Sequence, residues 1–350
     1  MPTIVDADTH VIESDATWEG MAELGFGEER PIALYRDPVA SSPASYWLFD
    51  KRIFPRGGVG IDGTRTPRGA RELDDVPMRL ADMDRLGVDR HVIYSTFFLG
   101  QPTERPGLLA ALCRSYNDWV AGACKESKGR LAFAAVLPLL DIHDAIEELH
   151  RTRDLGAVAV HLRGYEGDRM LTDPYFFPLY AQALQLDVAL CIHAGSANRY
   201  LDDQMFRGGF PFLRNKLPVI GAFNALAESD VPERFPGLRF GFIEAAASWL
   251  PYMMFDLERR IERRTGDRRS IGQSFLTDRH FYVTCQVNDD LTYLMEQVGP
   301  DNLVVGSDYG HADNASELEA VRRVGSDERL SESAREQITS KSALSLYGLE

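Results

Sequence analysis

Cysteine is scarce in this chain. Its 350 residues hold four, Cys113, Cys124, Cys191 and Cys285, widely spaced and without a CxxC pair. That pattern excludes a disulfide framework and leaves reduced, mostly buried thiols, as expected of a cytoplasmic protein. Basic residues are in deficit: 38 Lys and Arg face 53 Asp and Glu, for a net charge of −15. Nucleic acid and anionic membranes both need a dense basic face, so neither is an expected partner. No apolar run approaches the roughly 18 residues of a membrane span. The start, MPTIVDADTH, lacks the basic and apolar stretches of a secretory signal. Internal repeats, low-complexity tracts and an interdomain linker are also missing.

What is present is a core-forming composition, 44% hydrophobic and 10% aromatic, with charges intermixed. Eight short apolar runs stand out: Thr3–Ala7, His91–Thr96, Leu131–Leu139, Ala157–Leu162, Val188–Ile192, Leu238–Ile243, Phe281–Cys285 and Leu303–Gly306. Helical patterns lie between most of them, over Val76–Leu86, Pro106–Lys125, Ile142–Thr152, Pro174–Leu184, Ser248–Arg263, Asp290–Val298 and Glu332–Tyr347. β-Branched runs separated by helices imply parallel strands covered on both faces. Eight such units fit a (β/α)8 TIM-type barrel better than an open doubly wound sheet, as one domain over residues 1–350. The GxGxxG turn of a dinucleotide-binding sheet is absent after the first run, where Asp6-Ala7-Asp8-Thr9-His10 stands.

Two segments break the repeat. Pro31–Asp75 is an excursion rich in Pro, Gly and Arg, with a hairpin expected over 46–54 that turns at Asp50-Lys51. Ala197–Leu217 reads as a second irregular stretch and includes Arg207-Gly208-Gly209-Phe210. Both follow strands, on the rim where barrel enzymes keep their sites, and loops of this length are commonly lids or binding loops. Residues 31–75 are read as an inserted lid.

Side chains alternate along a strand, so Asp6, Asp8 and His10 are expected on one side. Asp8 and His10 close the first strand, and a carboxylate and an imidazole two apart can converge on one cation. Asp8 could equally cap the next turn and His10 be a hydrogen-bonded polar residue. His193 follows the fifth run and Asp308 stands just past the eighth, and each alone also fits hydrogen bonding or capping. Donors from three strand ends on one rim point together to a metal site. The fourth run ends Val160-His161-Leu162-Arg163, with no lysine to be carbamylated, which argues against two bridged metals. His161 is either a partner of the site or a buried hydrogen-bonded histidine. Arg163 is either a bidentate clamp for a substrate carboxylate or a solvated rim arginine. Trp249 is one of several aromatic residues that either wall a pocket for a planar substrate or pack in the core.

The stretches Asp6-Ala-Asp-Thr-His-Val-Ile-Glu13, Cys191-Ile-His-Ala-Gly195 and Gly306-Ser-Asp-Tyr-Gly-His311 together resemble the amidohydrolase superfamily. Within it they are similar to the branch of aminocarboxymuconate semialdehyde decarboxylase, as are Arg79-Leu-Ala-Asp-Met-Asp-Arg-Leu-Gly-Val88 and Ser248-Trp-Leu-Pro-Tyr252. The resemblance implies a distorted barrel holding one divalent ion, zinc or manganese. It implies Asp8, His10 and His193 as ligands, and Asp308 as the carboxylate that binds the ion and shuttles a proton. Arg163, His161, Trp249 and His311 form the expected substrate-binding set, and a homodimer is the expected assembly. Two departures matter. Asp8-x-His10 replaces the common His-x-His, and the added anionic ligand lowers Lewis acidity and favours a harder, manganese-like ion. Such an acid-x-His start is similar to that of metal-dependent aromatic decarboxylases. Glu244 ends the sixth strand where many relatives carry histidine, and either acts as acid or base or braces a ligand.

The leading expectation is a carboxy-lyase acting on a small aromatic or cyclic unsaturated carboxylate, with Asp308 protonating the ring carbon. The alternative is a hydrolase of a lactone, amide or cyclic imide, with Asp308 taking a proton from water. A non-catalytic binding barrel is the third reading.

Overall fold

Eight strands alternate with helices and lie side by side in one parallel sheet: β1 (Val5–Val11), β2 (Arg90–Ser95), β3 (Leu131–Ala135), β4 (Ala159–Arg163), β5 (Ala189–His193), β6 (Phe240–Ile243), β7 (Phe281–Cys285) and β8 (Leu303–Val305). This computed structural model describes residues 2–35, 45–57, 66–203, 211–266, 271–272, 274–312 and 315–349. The sheet runs in chain order and nearly closes into the expected barrel. Just past the end of β8, the seam back to β1 is made by the His10 N–H donating to the Tyr309 carbonyl (2.6 Å) and the Asp308 N–H donating to the Asp8 carbonyl (3.0 Å).

The first strand reaches further than its apolar run suggests, because Asp6, Asp8, Thr9 and His10 are polar yet fully buried within it. Its pairing with β2 shifts register between Asp6 and Thr9, a bulge that inserts one residue. Val5 and Ala7 therefore pack inside the barrel with Tyr94 and Cys191. Past the bulge, Asp8 and His10 face His193 across the barrel. The expectation that Asp6 shares their side fails: its carboxylate is held by Ser307 and lies 3.9 Å from His91 Nε2.

Helices cover the outside, each burying one stripe on the sheet. The helix over Val76–Leu86 agrees with its sequence pattern, capped by Asp75 and closed by left-handed Gly87. The stretch after β5 differs from expectation. Arg199–Asp203 and Pro211–Glu228 are helical, the latter despite Pro218 inside it. Pro218 and Gly221 each cost a helix stability locally, and tertiary packing outweighs that penalty. Gly164, after β4, lies so close that an added Cβ would sit 2.0 Å from the Pro218 carbonyl oxygen. Arg207-Gly208-Gly209-Phe210 lie outside the described residues. The C-terminal pattern is broken by a π turn over Gln337–Lys341. The last helix, Ser342–Tyr347, plugs the barrel floor: Tyr347 donates to the Ala7 carbonyl (2.6 Å), and its hydroxyl meets that of Tyr94 at 2.8 Å.

The excursion after β1 carries a three-stranded antiparallel sheet of Ile32–Tyr35, Ser45–Phe49 and Arg52–Pro55. Its hairpin turns at Asp50 and Lys51, both left-handed as a tight two-residue turn requires. Trp47 and Phe49 are buried against Phe97, in the loop after β2, and Arg52 reaches Asp203 and the Gln101 carbonyl. The inserted sheet is thereby fastened to the C-terminal rim. Among the described residues, no helix is long and apolar enough to cross a membrane.

Candidate metal centre

Five side chains from β1, β5 and the residues just past β6 and β8 converge in the barrel mouth, all buried: Asp8, His10, His193, Glu244 and Asp308. His10 Nε2 lies 3.7 Å from Asp8 Oδ1, 3.6 Å from Glu244 Oε2 and 3.6 Å from Asp308 Oδ1. His193 Nε2 lies 3.2 Å from Asp8 Oδ1 and 3.4 Å from Glu244 Oε2. The backbone is shaped for this convergence. Glu244 (φ 62°) and Asp308 (φ 53°) both adopt the left-handed conformation, a strain of order 1–3 kcal/mol each for non-glycine residues. Neighbouring strands hold them there: the Glu244 N–H donates to Thr284 Oγ1 (2.8 Å) and the Asp308 N–H to the Asp8 carbonyl (3.0 Å). Gly306 lets β8 press onto β1, since an added Cβ would meet Asp8 Cβ at 2.3 Å.

The donor set fits a divalent ion. His193 Nδ1 lies 3.1 Å from the Ala194 carbonyl, which only accepts, so Nδ1 carries the hydrogen and Nε2 faces the carboxylates. Metal-binding histidines are held by this kind of outer hydrogen bond. His10 Nε2 is fully buried without a hydrogen-bond partner, though three carboxylate oxygens surround it. Donors about 2.1 Å from a shared ion lie roughly 3.0–3.4 Å from one another, close to the observed separations. Burial opposes charge on His193, yet the Asp8 carboxylate and then Glu244 hold its imidazole above its ordinary range. Burial, with His311, His193, His161 and Arg79 nearby, pushes His10 well below that range, so it stays a neutral lone-pair donor.

His311 belongs to this cluster as well. Its ring stacks on His10 with centroids 3.9 Å apart, Nδ1 lies 2.8 Å from Asp308 Oδ1, and Nε2 lies 2.8 Å from Thr96 Oγ1. Thr96 donates its only hydroxyl hydrogen to the Val11 carbonyl (2.6 Å), so Oγ1 must accept from His311 Nε2–H. The remaining contact is a hydrogen bond only if a proton lies between His311 Nδ1 and Asp308 Oδ1. Asp308 Oδ2 accepts from the Ser316 hydroxyl at 2.6 Å. Thr96 and Ser316 are missed by sequence reasoning, being short hydroxyl side chains in loops without a distinguishing pattern.

The other expected substrate-binding residues are placed differently. Arg163 is buried and engaged: Nη1 donates to the Phe98 carbonyl (2.9 Å) and Nη2 to the Glu166 carboxylate, while Glu166 also accepts from the Arg163 N–H (2.7 Å). It braces the end of β4, with both terminal guanidinium nitrogens engaged by the protein. His161 lies inside the barrel beside His193 and Tyr94, with neither ring nitrogen hydrogen-bonded, and burial pushes its imidazole well below the ordinary range. Trp249 packs on Phe223, and its indole N–H donates to the Ala246 carbonyl (2.7 Å).

Comparison with known proteins agrees with this architecture. The chain is 24% identical over 297 residues to 2-amino-3-carboxymuconate-6-semialdehyde decarboxylase of Dictyostelium discoideum, covering 80% of this chain and 79% of that one. An amidohydrolase from Mycobacterium avium subsp. paratuberculosis K-10 superposes with a TM-score of 0.75 at 19% identity, over 99% of both chains. A dihydroxybenzoic acid decarboxylase from Polaromonas sp. JS666, solved with bound manganese and an inhibitor, superposes with a TM-score of 0.68 at 18% identity, covering 100% of this chain and 98% of that one. The amidohydrolase family model matches residues 5–349, nearly the entire barrel with its rim, and the chain belongs to that family.

Proposed function

We propose that this chain is a metal-dependent, non-oxidative decarboxylase of a small aromatic or cyclic unsaturated carboxylate. The observation that carries the reading is the 2.8 Å contact between Asp308 Oδ1 and His311 Nδ1, a pair placed to share a proton beside His10 in the donor ring. Asp8, His10, His193 and Asp308 would hold one ion, and the carboxylate-rich set favours manganese over zinc. A bound ion would supply Lewis-acid chelation of the substrate carboxylate and an adjacent oxygen. Asp308 delivers its proton to the ring carbon bearing the carboxylate, forming a C–H bond and an sp3 centre. The bond to the carboxylate then breaks, its electron pair restores the ring, carbon dioxide leaves, and Asp308 regains a proton from water. Relatives that decarboxylate carboxymuconate semialdehyde and dihydroxybenzoic acid support the substrate class. The inserted sheet on the rim acts as a lid. The four free thiols support a cytoplasmic setting, and exposed Tyr252 and Phe255 on one helix support a homodimer.

The test uses manganese-loaded protein, a panel of hydroxybenzoates and muconates, and parallel lactones, amides and cyclic imides. Release of carbon dioxide, with deuterium from D2O at the vacated carbon and loss of both in Asp308→Asn, is expected. Ring opening of a lactone, amide or imide without carbon dioxide would establish the hydrolase instead.

A further inference from the structure

Glu244 occupies a position in the donor ring that proton transfer alone does not explain. Its Oε2 approaches both imidazoles, at 3.6 Å from His10 Nε2 and 3.4 Å from His193 Nε2. Asp8 Oδ1 stands in the same relation to the same two atoms, at 3.7 and 3.2 Å. Asp308 is the more peripheral carboxylate: Oδ1 is 3.6 Å from His10 but only 2.8 Å from His311 Nδ1, and Oδ2 takes the Ser316 hydroxyl. The ring nitrogens facing Glu244 are metal-facing atoms by independent criteria. His193 Nδ1–H is directed at the Ala194 carbonyl, which leaves Nε2 as the atom turned to the carboxylates, and His10 Nε2 is fully buried without a hydrogen bond. Two ring nitrogens and two carboxylate oxygens at this spacing repel one another unless a proton or a metal cation sits among them, and the two compete for the same Nε2.

We propose that Glu244 binds the divalent ion directly, as a protein donor beside Asp8, His10, His193 and Asp308, at the strand end where a histidine is common. Three carboxylates then face a doubly positive ion, which favours a hard cation such as manganese. Glu244, committed to the ion, leaves Asp308 as the proton carrier. The inference rests on the metal reading of the site and is independent of which bond the enzyme breaks.

The experiment strips the full-length protein with a chelator and measures Mn2+ binding, by competition with a fluorescent chelator and by the paramagnetic resonance signal of free Mn2+. Glu244→Gln should weaken Mn2+ at least tenfold, about 1.4 kcal/mol, and shrink the Mn2+-induced rise in melting temperature. Glu244→Asp keeps the charge but is one methylene shorter, and it too should weaken binding at least tenfold if the oxygen is a ligand. Should the glutamine variant not fold, the aspartate variant decides. Mn2+ affinity within twofold of the parent, with turnover lost, would overturn the proposal and make Glu244 a group that acts on substrate. Failure of the parent to bind Mn2+ would overturn the metal reading as well, whereas binding without decarboxylation would touch only the proposed reaction.

Discussion

The Arg79 guanidinium lies 3.8 Å above the Tyr309 ring, on the side of the barrel wall away from the donor ring. Its Nη1 donates to the His10 carbonyl (3.0 Å) and its Nε to His91 Nδ1 (3.1 Å), while Tyr309 donates to Asp82 (2.8 Å). The Tyr309 carbonyl in turn takes the His10 N–H, so one buried cluster fixes both backbone polar groups of His10. Arg79→Lys keeps the charge but loses the planar fork that makes these contacts together. A loss of about 2–4 kcal/mol is expected in urea unfolding of the metal-free protein, with weaker Mn2+ binding. A loss under about 1 kcal/mol would show that the cluster is not what holds His10.

Gly306→Ala tests the approach of β8 to β1. The new methyl would stand 2.3 Å from Asp8 Cβ, so one strand must move. Overpacking of this kind costs about 1–3 kcal/mol. Asp8 shifts with it, so Mn2+ affinity should fall by more than the stability loss alone explains. Calorimetric titration beside thermal melting separates the two effects, and unchanged affinity would rule out β8 as the support of Asp8.

The barrel was legible because its strands are apolar runs punctuated by helices, and the clustering of Asp8, His10, His193 and Asp308 because they stand at or just past the ends of those runs. Side-chain direction was less legible. Alternation places Asp6 with Asp8, and only the bulge between Asp6 and Thr9 separates them, a register event that leaves no mark in one strand's own sequence. Arg163 reads as either a clamp or a solvated rim arginine because its partner Glu166 lies past the strand end, in the short hairpin of Tyr165–Glu166 with Arg169–Met170. Helix Pro211–Glu228 was hidden by Pro218, whose local penalty is outweighed by burial of Val219, Phe223 and Leu226.

Ion binding should depend on pH with a definite sign. Burial works against a proton on His193, but Asp8 and Glu244 raise its affinity for one above the ordinary value. A proton and a metal ion compete for the same Nε2, so binding the ion releases the proton when the imidazole is charged. Mn2+ affinity should therefore drop as pH falls through the raised value of His193, by up to tenfold per unit for one proton. Titrations in buffers of different ionisation enthalpy would count the protons released, and an affinity that does not fall as the solution is acidified would contradict the assignment.

Asp6 gives a stability signature of the opposite kind. Burial raises its carboxyl to about 7, against the hydrogen bonds from Ser307 that lower it. An acid raised in the folded state stabilises while protonated, and that contribution is lost as pH rises from its unfolded value of 3.8 through about 7. Asp6→Asn resembles the protonated form at every pH. Its stability relative to the parent should therefore climb between about pH 4 and 7 and level off above. Urea unfolding of both metal-free proteins across that range reads the difference directly, and a constant offset would show that Asp6 does not titrate there.

The proton assignment at Asp308 depends on Thr96. Its hydroxyl hydrogen is directed at the Val11 carbonyl, so its oxygen accepts from His311 Nε2 and fixes the tautomer. Thr96→Val keeps the shape and removes that acceptor. His311 is then free to carry its hydrogen on Nδ1 and donate it to Asp308 Oδ1, 2.8 Å away, which leaves Asp308 without the proton it must deliver. The expected result is a fall in kcat of about 10- to 100-fold, up to the lower end of lost general-acid catalysis, with KM little changed. Thr96→Ser restores the hydroxyl and should recover most of the rate. A purely structural role would lower melting temperature and metal content together with kcat, and a Val variant with kcat within twofold of the parent would remove Thr96 from the proton path.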